Sequence, residues 1–120
     1  MALKHYREQV AWQKAIDLVE AVYRISRRFP QNEQFGLINQ LRRASVSVPC
    51  NIAEGQGRRL RKQFAMYLRV ARGSVQEVET QLIIAERLGY VTSDELNPVR
   101  ERAQEVSRLV SGLLRAIESG

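Results

Sequence analysis

Carboxylates are the first residues in this chain that could do chemistry. Glu54, Glu77 and Glu79 sit in stretches of helical spacing. Two carboxylates held on facing helices can transfer protons or grip a metal ion. Helical metal sites of that kind draw on Glu-x-x-His pairs, and the one histidine, His5, stands near the start of the chain. Ser45, Ser47 and Ser74 have no histidine to take their protons, so a nucleophilic triad lacks its base. Cys50 is the one cysteine; it allows neither an internal disulfide nor a thiolate cage for zinc, and reads as a small interior apolar side chain. Gly55-Gln56-Gly57 is not a dinucleotide fingerprint, because Leu60 stands where the third glycine belongs and no strand precedes it. No catalytic set, metal or cofactor is expected. Glu54 and Glu77 are assigned instead, with Arg43, Asn51 and Ser74, to a polar network that fixes helix contacts or a subunit interface.

Arginine is the larger resource. Sixteen Arg and three Lys (Lys4, Lys14 and Lys62) face thirteen acids, giving a net charge of +6 over 120 residues. The excess is local. Gly55 to Gln76 holds Arg58, Arg59, Arg61, Lys62, Arg69 and Arg72 and no acid, which leaves thirteen cations and thirteen acids elsewhere. Arginine forks match phosphate and carboxylate oxygens in pairs. Cations at a helix start oppose the helix dipole, so this placement works against stability and points to an outside partner. The nucleic-acid reading is a patch for RNA or DNA phosphates, with Arg58, Arg59, Arg61 and Lys62 as primary contacts and Arg69 and Arg72 in support. Arg24, Arg27 and Arg28 extend it if the fold brings them near. The alternative reading is a protein-interaction scaffold whose arginines meet an acidic partner, or acids of neighbouring helices or subunits such as Glu101 and Glu105. Trp12 and Tyr67 read as packing residues rather than platforms for bases.

Four helical patterns position these residues. The first runs from about Glu8 to Phe29, with Trp12, Ala15, Ile16, Val19, Val22, Tyr23 and Ser26 on one face and Pro30 as its stop. The second runs from Gln34 to Glu54 through Phe35, Ile38, Leu41, Ser45, Val48 and Ile52. Pro49 interrupts it and is expected to kink it, with two helices broken at Val48 as the other outcome. The third spans Leu60 to Leu88 through Phe64, Leu68, Ala71, Val75, Val78, Leu82 and Ala85, with Gly89 as its cap. The fourth opens on a capping box of Thr92 and Glu95, or on Asn97 with Pro98 following, and continues through Val99, Ala103, Val106, Val110, Leu113 and Ile117. No stretch alternates with period two. Short connections then favour an all-α, antiparallel, up-down-up-down four-helix bundle occupying residues 1–120 as one domain.

Composition agrees with a globular chain: 44% hydrophobic, 27% charged, with seven Gly and three Pro. No apolar run approaches the ~20 residues of a membrane span, and the N-terminus does not read as a secretory signal, so a cytoplasmic protein is expected.

Two blocks of residues resemble the signature of the 23S rRNA intervening-sequence protein family, small bacterial four-helix bundle proteins. The first is Gln40-Leu41-Arg42-Arg43-Ala44-Ser45-Val46-Ser47-Val48-Pro49 with Asn51-Ile52-Ala53-Glu54-Gly55 and Gly57-Arg58. The second is Ala71-Arg72-Gly73-Ser74 with Glu77, Glu79-Thr80-Gln81-Leu82, Ala85 and Leu88-Gly89-Tyr90. The resemblance implies an antiparallel four-helix bundle assembled as a homopentameric ring, with no enzymatic activity. It also implies kinship with accessory proteins of diversity-generating retroelements, which partner a reverse transcriptase and bind nucleic acid.

Overall fold

Each of the four apolar patterns becomes one long helix: α1 (Val10–Ser26), α2 (Asn39–Gln56), α3 (Arg61–Arg87) and α4 (Ser93–Ser119). The computed structural model describes residues 5–119, so Lys4 lies outside them. Among the described residues there is no strand. Successive helices pack on one another and α4 closes back on α1, giving an antiparallel bundle 48 Å long and 24 by 19 Å across. Its axis is filled by Leu18 and Val22 of α1, Leu41, Val48 and Ile52 of α2, Leu68, Val75, Val78 and Leu82 of α3, and Leu96, Val106 and Val110 of α4. All of these are essentially sealed from water, which is the main stabilising term.

On α1 the buried row is Ala11, Ala15, Leu18, Val22 and Ile25, closing on Ser26. Trp12, Ile16 and Val19 are only half-buried and Tyr23 is exposed. The expected face was therefore turned toward the bulky flank, because two rows of three- and four-residue spacing interleave on this helix. Trp12 still packs on the core edge and meets Tyr6 edge-on at 5.4 Å.

Helix α2 starts five residues later than expected. A 3-10 turn (Gln31–Glu33) and a π-helical turn (Gln34–Ile38) precede it, with Gly36 outside helical geometry at φ −109° and ψ −111°. Phe35, expected in the core, is 89% exposed as a result. Pro49 does not divide the helix, which runs unbroken to Gln56. The Asn51 amide donates to the Ser47 carbonyl at 2.8 Å and to Ser47 Oγ at 2.9 Å, tying together the turn that holds the proline.

The other ends follow their sequence signals. Gly89 adopts φ +78° after α3; Tyr90 N–H reaches the Ala85 carbonyl at 2.9 Å and Gly89 N–H the Glu86 carbonyl at 3.0 Å, a Schellman cap. Thr92 and Glu95 form the reciprocal box at the start of α4: Thr92 N–H donates to Glu95 Oε1 at 2.9 Å and Glu95 N–H to Thr92 Oγ1 at 3.2 Å. Helix α4 thus begins at Ser93, and the Asn97 start is not used.

Candidate nucleic-acid interface

The turn between α2 and α3 carries the basic window. Gly55 makes that turn tight: a Cβ there would lie 2.8 Å from Tyr67 Cβ and 2.9 Å from Phe64 Cδ1, so only glycine lets the end of α2 meet the start of α3. Arg58 then folds back. Its guanidinium pairs with Glu54 one turn earlier, donates to the Tyr67 hydroxyl at 3.0 Å and lies over the Tyr67 ring at 5.1 Å. Tyr67 and Glu54 together push the Arg58 pKa up. Arg69 pairs with Glu118 of α4 at 3.0 Å. Two of the six cations are therefore engaged within the fold.

Arg59, Arg61 and Lys62 are not. All three are exposed, and none makes an ion pair among the described residues. They flank the first turn of α3, whose N-cap residue, Leu60, supplies no side-chain cap and stands 61% exposed. Leading amides of a helix and three free cations thus share one end of the bundle, an arrangement suited to phosphate oxygens. Arg72 sits further along α3, half-buried beside Arg115 and Leu114 of α4.

Arg24, Arg27 and Arg28 do not extend this patch. The end of α1 lies at the opposite end of the 48 Å molecule from the α2–α3 turn, and Arg28 pairs there with Glu95. Glu101 and Glu105 do not answer the basic window either; they lie beside Arg102 and Arg108 on α4 itself.

The expected polar network divides. Ser47 Oγ and Ser74 Oγ meet at 2.9 Å across the α2–α3 contact, with Asn51 joined through Ser47. Glu54 belongs instead to Arg58. Arg43 and Glu77 are exposed and line a groove of about 370 Å³ between α2 and α3, yet they form no ion pair with each other or with Glu54. Among the described residues no buried Arg43–glutamate network is built, because both Arg43 and Glu77 stand exposed at the groove rather than inside it. The same groove holds Gln81, whose Oε1 is buried without a partner, a feature that nothing in the spacing announces. Cys50 is exposed rather than interior, in a shallow apolar groove beside Trp12 and Ile16. A Cβ added at Gly73 would meet no neighbour within 4 Å.

Among the described residues no three His, Cys, Asp or Glu side chains gather to hold a metal ion. Among the same residues, no helix is long and apolar enough to cross a membrane.

Four antiparallel helices with cations gathered at one end define a small basic helical bundle. Residues 7–112 match the 23S rRNA-intervening sequence protein family, and the chain belongs to that family. Among solved structures it is similar to a protein of unknown function from the S23 ribosomal protein family of Bacteroides thetaiotaomicron VPI-5482, known at 1.70 Å resolution. The two share 20% identity with a TM-score of 0.81, over 88% of this chain and 98% of that one, a likeness of fold. No curated protein matches. Neither the family nor this neighbour is described as an enzyme.

Proposed function

We propose that the protein is a non-enzymatic nucleic-acid-binding bundle that grips RNA or DNA by its phosphates. It acts as a homo-oligomer, a pentamer by family resemblance, in the service of a reverse transcriptase or an rRNA-related process. The observation that carries the reading is the unpaired trio Arg59, Arg61 and Lys62 at an uncapped helix start. Arg58 and Arg69 support it from their internal ion pairs, and Arg72 from α3. One such patch per subunit is weak alone, but several on one assembly sum by multivalency. A gel-shift titration at low salt tests it: binding to mixed single- and double-stranded RNA and DNA supports the reading, and no affinity for any of them ends it.

A second reading is favoured by one observation. Leu60 is 61% exposed between Arg59 and Arg61, so an apolar contact is available beside the charge, as an acidic protein partner would use. A protein partner that co-purifies after nuclease treatment, and is lost on Leu60→Ser, supports this second reading over the first.

A further inference from the structure

The groove between α2 and α3 holds two opposite charges that the chain itself leaves unsatisfied. Arg43 stands on α2 and Glu77 on α3, both exposed and both without an ion pair among the described residues. Val70 and Ile84 lie seven residues to either side of Glu77, on the same side of α3, and are 47% and 42% exposed.

We infer that this face is where copies of the chain meet, and that Arg43 of one copy reaches Glu77 of the next. An arginine fork presents paired N–H donors that match both oxygens of a carboxylate. Val70 and Ile84 would be covered by the same approach and would keep water from the ion pair. Charge selects the occupant. Nucleic acid or an acidic helix would satisfy Arg43 but place negative charge against Glu77. A second copy offers a cation to the anion and an anion to the cation. Because Arg43 and Glu77 stand on different helices, the pairing serves a two-fold contact or a closed ring running α2 edge to α3 edge.

The inference rests on the self-assembly in the reading above, not on its phosphate contacts. Light scattering and sedimentation of the full chain test it. Arg43→Glu and Glu77→Arg are each expected to weaken assembly at least tenfold, and the double variant Arg43→Glu/Glu77→Arg to restore the wild-type subunit number. A wild-type monomer at 100-fold dilution from ~100 µM stock and at the stock itself would overturn it, as would single reversals that assemble normally. Should a reversal fail to fold, crosslinking decides. Chains carrying Arg43→Cys/Cys50→Ala and Glu77→Cys/Cys50→Ala, mixed under mild oxidation, are expected to join one of each, and no mixed dimer contradicts the inference. A gel shift on the wild-type oligomer separates the claims: assembly through Arg43 and Glu77 without affinity for RNA or DNA leaves this inference standing and removes the phosphate reading.

Discussion

Six cations fall in one acid-free stretch, but they do different work. Arg58 is held by Glu54 and Tyr67, so Arg58→Gln is expected to lower the melting temperature more than Arg59→Gln does. Arg59, Arg61 and Lys62 are free, so replacing the three with Gln is expected to leave melting nearly unchanged while removing most nucleic-acid affinity. If each contacts one phosphate, the slope of log affinity against log salt falls by about 0.7–0.9 per residue removed. The gathering of charge was readable from the chain alone; the Glu54–Arg58 pair, although local at four-residue spacing, was not, because Glu54 was assigned to Arg43. The Arg69–Glu118 pair was not, because forty-nine positions separate its partners and only the bundle brings them together. For the same reason the orphaned Gln81 oxygen and the unpaired Arg43 and Glu77 emerge only once α2 and α3 are placed side by side.

At the level of the elements, three glycines make contrasting predictions. Gly55→Ala forces a methyl against Tyr67 and Phe64 and is expected to cost about 1–3 kcal/mol. Gly89→Ala meets no neighbour, but its φ of +78° is strained for alanine and costs about 1–2 kcal/mol. Gly73→Ala, inside α3 and facing open space, is expected to stabilise by up to about 1 kcal/mol through helix propensity. Denaturant melts of the three variants check the order. The helix connections at the other end of the bundle predict the response to acid. The Tyr90 hydroxyl donates to Glu33 Oε2 at 2.6 Å, and the Leu37 N–H donates to its Oε1 at 3.2 Å, holding Glu33 below the usual 4.5. Ser93 does the same for Glu86, with help from Arg100. The Thr92 N–H and then its hydroxyl and Arg28 do so for Glu95. A carboxylate with a lowered folded pKa adds stability above its unfolded value and loses it as pH falls through the folded one. Melting temperature is therefore expected to drop below about pH 4.5, and Glu33→Gln to flatten part of that drop. On Tyr90 the same bond raises the phenol above 10.0, so its contribution is lost in strong alkali. The stripes of α3 and α4 and both of their caps were legible because each signal is local: apolar spacing, a Gly needing positive φ, a Thr–Glu box. The start of α2 was not legible. Phe35 keeps the helical phase of its stripe, yet the π-helical turn that ejects it is shaped by Gly36 and by Glu33 reaching across to Tyr90. Tertiary contact decided that segment.

For the whole molecule, polarity of the two ends organises the account. One end is tied by Glu33, Glu86 and Glu95 to hydroxyls, amides and arginines, and its cations are partly consumed. The other carries Arg59, Arg61 and Lys62 open to solvent, 48 Å being the length of the bundle between. An acid-free cluster of cations at one end lets an assembly of parallel subunits present several patches on one side, which is what multivalent binding needs. The most direct measurement is a fluorescence-anisotropy titration of short RNA and DNA strands with wild type and with the Arg59, Arg61 and Lys62 triple Gln variant, repeated from about 50 to 300 mM salt. The account predicts wild-type binding that weakens steeply with salt, and a folded triple variant with at least tenfold lower affinity and a shallower slope. Equal affinity and equal salt dependence for the two proteins, or no binding by either, would contradict it.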